Sequence, residues 1–255
     1  MSNPQPSSFS YRVLQIILAF MFCGLPGLAA AATASQWTGQ ITLYGWMAGI
    51  GGQIQPVRGA PVVSFEKSPS AVFKDINGAF FASGIARKGS IVLLGDFSYS
   101  SSSRQGLTPL GIPAQGKLTQ RSLALLAGGR VLDDPGIITL DAMGGLRLWD
   151  INLSVSAPRI GVSASPGRVF VDPIVALRSN ITLAPRWSLI AYGDLGGGTG
   201  SRFTYQLLGT INFQATRNLY LSAGYRRLYV DYQSGGTLFR GDLQGPIAGL
   251  TWRFF

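Results

Sequence analysis

The sequence predicts an all-β chain closed into a single transmembrane, antiparallel up-and-down β-barrel of ten strands, with eight as the alternative count. Three observations predict it. Apolar and polar residues alternate with period two along much of the chain. The connections between the alternating segments are tight and long in turn. Mean hydropathy is positive, +0.25, yet nothing after residue 34 forms an unbroken apolar run of the ~20 residues a spanning helix needs. The stretch Ser201–Phe213 shows the alternation best. Phe203, Tyr205, Leu207, Gly209, Ile211 and Phe213 fall on one face, and Arg202, Thr204, Gln206, Thr210 and Asn212 on the other. Successive strand side chains point to opposite faces, so one wall is apolar and the other polar. In a soluble sandwich the apolar face is the core. In an outer-membrane barrel it meets lipid and the polar face meets the lumen.

Taken in order, the segments are Gln40–Gly51, Gly78–Arg87, Ser90–Ser101, Gln120–Val131, Ile137–Leu148, Val169–Ile181, Trp187–Leu195, Ser201–Phe213, Leu219–Tyr229 and Pro246–Phe254. Most are near ten residues, enough to cross a bilayer when tilted. A long connection, 52–77, follows the first. The tight turn at Lys88-Gly89 comes next, then the polar loop "SSSRQGLTPLGIPAQG" and the tight Asp134-Pro135-Gly136. A loop over 150–168 precedes Ala184-Pro185-Arg186. "GGGTG", the short Arg217-Asn218 turn and "DYQSGGTLFRGD" complete the series. Glycine, proline and Asn/Asp supply the backbone conformations of such turns. Short turns at one end and longer loops at the other are the habit of a single-chain outer-membrane barrel, and an even strand count puts both termini on the short-turn side. The first long loop also carries a weak pattern for a short helix over Pro69–Asp75.

Residues 1–34 read as an export signal and residues 35–255 as the barrel. A single charge, Arg12, precedes an apolar stretch that runs from Val13 to about Leu28. Gly24 and Pro26 interrupt it, and Ala32-Thr33-Ala34 matches a small-residue cleavage site. The chain's one Cys, Cys23, lies inside that leader, and there is no His anywhere. Disulfides, thiolate metal sites and imidazole acid/base chemistry are therefore excluded from the barrel. No cofactor and no metal is expected, and the chain is read as not an enzyme. It carries 21 basic residues against 11 acidic. That balance points to anionic partners, and export makes nucleic acid an unsuitable one.

The ordered set "YGWMAGIGG" (44–52), "VSF" (63–65), "ARKGS" (86–90), "VDPIVALR" (171–178), "YGDLGGG" (192–198), "AGYRRLYVDY" (223–232) and "GPIAGLTWRF" (245–254) resembles a family of small proteobacterial outer-membrane β-barrel proteins. The resemblance covers nearly all of residues 35–255. It implies a barrel in the outer membrane of a Gram-negative bacterium and brings no catalytic mechanism with it. Two positions depart from the pattern. Ile85 stands where an acidic residue is expected, and Arg227 stands where an aromatic is usual and would place a charge near the lipid face.

Strand parity turns Asp96, Asp141, Arg147, Asp172, Arg178, Asp194 and Arg226 toward the lumen, because a charge facing the lipid midplane would cost about 2–4 kcal/mol. Small barrels are filled by side chains, so these residues are expected to form an ion-pair network. A selectivity constriction for a small polar or anionic solute is the other reading. Asp172 and Asp194 are the carboxylates that acid/base work would need, but Arg neighbours make them look structural. "GGGTGSR" (196–202) lacks the Lys of a phosphate-binding loop and reads as a hairpin loop. Ala248, Leu250, Trp252 and Phe254 alternate as the lipid face of the last strand, opposite Gly249, Thr251 and Arg253. Trp252, Phe254 and Phe255 are expected to serve as the signal read by the barrel assembly machinery. Basic residues toward the long-loop end (Arg58, Lys67, Lys74, Arg104, Lys117, Arg159, Arg168, Arg202 and Arg240) suit lipopolysaccharide phosphates. The expected role is envelope-structural or that of a narrow, porin-like passive pore for small solutes. A surface-loop adhesin or ligand-binding barrel and a soluble, lipocalin-like carrier are the alternatives.

Overall fold

A computed structural model describes residues 36–55, 62–70, 76–107, 113–134, 136–157, 162–164, 167–198, 200–234 and 236–254. The expected export signal, Phe255, Arg58, Lys74 and Arg159 lie outside the described residues, as does most of the helix expected at Pro69–Asp75.

Thirteen strand segments form one sheet: β1 (Thr38–Trp46), β2 (Gly49–Gln55), β3 (Val63–Lys67), β4 (Ile76–Lys88), β5 (Ile91–Leu107), β6 (Pro113–Asp134), β7 (Ile138–Ala157), β8 (Val162–Ala164), β9 (Gly167–Ala184), β10 (Trp187–Gly196), β11 (Phe203–Gln214), β12 (Leu219–Ser234) and β13 (Thr237–Phe254). The wall runs β1-β4-β5-β6-β7-β9-β10-β11-β12-β13, each strand antiparallel to the next. It closes where β1 pairs β13, from Gly39↔Phe254 to Trp46↔Ile247. β2 continues up β13 from Gly49↔Gln244 to Gln55↔Leu238, so β1 and β2 form one wall strand interrupted at Met47-Ala48. Pro246 has no N–H to give at that break. Its carbonyl instead accepts the Met47 N–H at 3.0 Å. The result is a closed, all-β, ten-stranded antiparallel barrel. β3 and β8 add edge pairings on β2 and β7.

The apolar face points outward. Along β9, Val169, Val171, Val175 and Leu177 are exposed, whereas Phe170, Asp172, Ile174, Ala176 and Arg178 are buried. On β11 the polar residues Thr204, Gln206, Thr210 and Asn212 are buried and Leu207 and Ile211 are exposed. Leu43, Leu146, Leu195, Leu221 and Leu250 add to the outer belt. Aromatics mark its short-turn edge, with Trp187, Trp252 and Phe254 outward and exposed. In water this surface would be a very large apolar patch. Against hydrocarbon it is the solvated face.

Two expectations are corrected by the wall itself. Where they are described, the long polar loops are largely extended strand pairs. β5 and β6 remain paired from Ile91↔Gly129 to Leu107↔Pro113, and β12 and β13 to Ser234↔Thr237. β6 is 22 residues long and β7 is 20. Toward the hairpin ends the outer face no longer has to be apolar, so the alternation fades while the ladder hydrogen bonds continue. The lumen is also not uniformly polar. Trp46, Phe81, Trp149, Ile151, Phe170, Leu228, Val230, Tyr232, Phe239, Leu243 and Ile247 pack as an internal core. Phe170 stacks between Trp149 and Tyr232, with ring centroids 6.0 and 4.5 Å away. A second core joins Ile85, Val92, Leu126, Met143 and Ile174. Dry packing of this kind fills a narrow barrel where water would otherwise stand.

Candidate functional site in the lumen

Between the two cores, inward side chains from six wall strands join in one polar network. Arg147 on β7 meets Asp194 on β10 through two parallel bonds, 2.9 and 2.6 Å. The planar guanidinium fork suits a carboxylate in this way. Tyr192 donates to the same Asp194 at 2.7 Å. On β12, Arg226 donates to Asp96 of β5 at 2.9 Å and to the Gln206 side-chain oxygen of β11 at 2.7 Å. It also donates to the Tyr44 hydroxyl of β1, which in turn donates to Asp96 at 2.8 Å. Gln206 lies 3.5 Å from Arg147 as well, so it links the two ion pairs. The Arg226 guanidinium covers the Trp46 ring at 4.7 Å, and Arg147 lies over Trp149 at 5.8 Å. Arg147 and Arg226 are each only 2% exposed, so both charges depend on these partners.

A second group sits toward the short turns. Asp141 on β7 is fully buried. It accepts from Arg87 of β4 at 2.9 Å and from Arg130 of β6 at 3.3 Å. Arg178 of β9 stands 3.6 Å from it. A cavity of about 350 Å³ opens below this group and is lined by Arg87, Arg130, Arg178, Arg253, Asn180 and Tyr220, among others.

Asp172 behaves differently from the expectation. Its partners are the Trp149 indole N–H at 3.1 Å, the Ser201 backbone N–H at 2.6 Å and the Ser201 hydroxyl at 2.9 Å. Arg147 is its register neighbour on β7, yet that side chain turns to Asp194. The carboxylate therefore pins the β10–β11 connection. Gly197 and Gly198 in that connection have φ of 122° and 100°, which glycine accepts at low cost. Strand parity was enough to point these seven charges inward. It could not supply their partners, because barrel stagger brings together strands far apart in sequence. Tyr44, Arg87, Arg130 and Tyr192 are not among the expected network residues, and Gln206 is expected only on the polar face of its strand. Period two places Arg87 at the end of the Gly78–Arg87 segment, beside the Lys88-Gly89 turn, and does not reveal that its side chain reaches Asp141.

The two departures also find explanations. Ile85 is buried in the second core. Arg227 points outward and is held by Asp242 through bonds of 3.0 and 2.6 Å, beside Tyr205. A neutralised pair among aromatics is a tolerable way to place a charge on the outer wall. Toward the hairpin end, Arg202 donates to Gln233 at 2.9 Å and Arg240 is 3.3 Å from Asp231. The side chains of Lys67 and Arg104 lie outside what is described.

The architecture has a close parallel in a solved structure. The outer-membrane protease OmpT of Escherichia coli superposes with a TM-score of 0.55 at 14% identity, over 89% of this chain and 99% of that one. The translocator domain of the autotransporter NalP of Neisseria meningitidis (0.46, 15%, 96% and 95%) and the attachment invasion locus protein Ail of Yersinia pestis (0.34, 11%, 86% and 99%) also match. No family model and no curated protein matches the sequence. The chain therefore has the fold of the bacterial outer-membrane β-barrel proteins. This corrects the expectation that it is not an enzyme. The missing imidazole removed one catalytic group, but an architecture shared with a protease gives no ground for excluding catalysis, and function resides in sites rather than folds. At this identity the likeness extends to the fold alone.

Proposed function

We propose that this chain is an outer-membrane barrel sealed at membrane level, an envelope-structural element and not an open passive pore. The observation that carries the reading is the continuous chain Tyr192–Asp194–Arg147–Gln206–Arg226–Asp96–Tyr44. It crosses the lumen directly beneath a packed aromatic core. A conducting constriction needs charges that exchange an ion's hydration for weak, replaceable contacts. Here each guanidinium is already bound to a carboxylate, and Trp149, Leu228 and Val230 are without exposed surface. Planar-bilayer recording tests this. The wild-type barrel is expected to show conductance near zero, and stable, frequent openings would overturn the seal.

Residues 1–34 direct export in this reading, and the basic residues of the extended hairpins face lipopolysaccharide phosphates. Short turns lie toward the periplasm in such barrels, which places the Asp141 end inward and the hairpins outside. Cell fractionation is expected to recover the protein in the outer membrane, shortened by the leader and released only by detergent. Recovery from the soluble periplasmic fraction would refute the assignment.

A further inference from the structure

Among the described residues, the cavity at the short-turn end has an unbalanced charge. Arg87, Arg130, Arg178 and Arg253 all line it. The buried acid facing them is Asp141, whose two oxygens already accept from Arg87 and Arg130. Arg130 shares a further acid, Asp133, which is half exposed at the turn. Arg178 is 6% exposed and stays beyond hydrogen-bond distance, 3.6 Å, from the oxygen that Arg87 holds. Guanidinium groups do not shed their proton in proteins, so this positive charge persists. In a narrow, low-dielectric recess such an excess is costly and focuses an attractive field on anions.

The unused hydrogen-bonding capacity points the same way. The Arg87 Nε and the Asn180 side-chain oxygen are both buried without a partner. An amide side chain can be turned end for end in assignment, so Asn180 can present its NH₂ to the same space. Thr139 and Ser188 add hydroxyls to the lining. The recess is open to the periplasmic side in the orientation above, and its lining is mainly lumen-facing, with the outward Phe254 at its rim. Its volume of about 350 Å³ falls in the range of small-ligand sites.

From this we infer that the short-turn vestibule is a binding site for a small soluble oxyanion of the phosphate class. Arg87, Arg178 and Arg253 bind its oxygens, and Asp141 holds Arg87 and Arg130 in place. Forked, planar donors recognise tetrahedral oxyanions better than a spherical halide.

The test is calorimetric titration of the folded, detergent-solubilised barrel with inorganic phosphate, at fixed ionic strength in chloride. Saturable, single-site binding is expected. Affinity should fall at least tenfold in Arg87→Gln and measurably in Arg253→Gln. Arg253 lies at the exposed rim, so its variant keeps the test valid if Arg87→Gln fails to fold. Arg186→Gln should bind as the wild type does, because its guanidinium serves the Gln214 and Ala215 carbonyls outside the vestibule. Non-saturable heats matching those of added chloride would overturn the site. So would wild-type affinity in every folded vestibule variant.

Discussion

Replacing Arg147 by Ala is expected to destabilise the barrel by about 3–5 kcal/mol, the usual cost of stranding one member of a buried ion pair. Asp194 would lose both bonds of the fork, 2.9 and 2.6 Å, and keep the Tyr192 hydroxyl. Its side chain has no exposed surface, so its charge would be left away from bulk water with one hydrogen-bond donor. Arg121→Ala is the control. That side chain is 42% exposed and reaches Asp150 at 2.8 Å. Asp150 itself is buried, but it keeps the Asn152 amide as a donor and its arginine is half in water, so the loss is expected to be smaller, about 1–2 kcal/mol. The combined change Arg147→Met with Asp194→Leu should recover much of the loss, because an apolar pair of similar volume removes the uncompensated charge. Urea unfolding in detergent, followed by heat-modifiable gel migration and tryptophan fluorescence, measures all three. Equal midpoints for Arg147→Ala and Arg121→Ala would show that the network does not hold the wall together.

The contrast between these two arginines bears on how far the sequence could be read. Period two was enough to mark the wall strands, because the bilayer imposes an apolar outer face on every one of them. Above the bilayer that pressure disappears. Ser102 and Ser103 of β5 look like loop, yet they pair with Leu118 and Lys117 of β6. Parity likewise directs Arg147 to the lumen without choosing between Asp172, its register neighbour, and Asp194, two wall strands away. Closure and stagger make that choice, and they are properties of the whole ring. The apolar filling was hidden for a related reason. In "YRRLYVDY" the inward set is Arg226, Leu228, Val230 and Tyr232, and polarity alone does not assign such a mixed face. The non-enzymatic expectation rested on absent residue types, which say nothing of what the residues present can do.

Glycine positions within the strands carried meaning that composition could not reveal, and Gly224 gives the sharpest case. It faces the lumen on β12, opposite Thr210. A Cβ built there would lie 1.9 Å from the Gly209 carbonyl oxygen and 2.8 Å from the Thr210 Cα. Both obstacles are backbone, so no rotamer change relieves them. Relief requires β11 to move away, at the expense of ladder bonds on both sides of it. Strands bend at such glycines, which allow the close backbone approach that a small barrel's curvature needs. Gly224→Ala is therefore expected to cost about 3 kcal/mol or more, at or above the upper end for overpacking, because the wall and not a side chain must yield. Gly209→Ala, one step away on the partner strand, has nothing within 4 Å of its added methyl and points outward. It should change stability by no more than about 0.5 kcal/mol. The two variants differ by the same single carbon on paired strands, so the face of the wall is the controlled variable. The urea midpoint of folded barrel is the measurement. If Gly224→Ala unfolds with the Gly209→Ala protein, the close approach of β11 and β12 is not what shapes the wall.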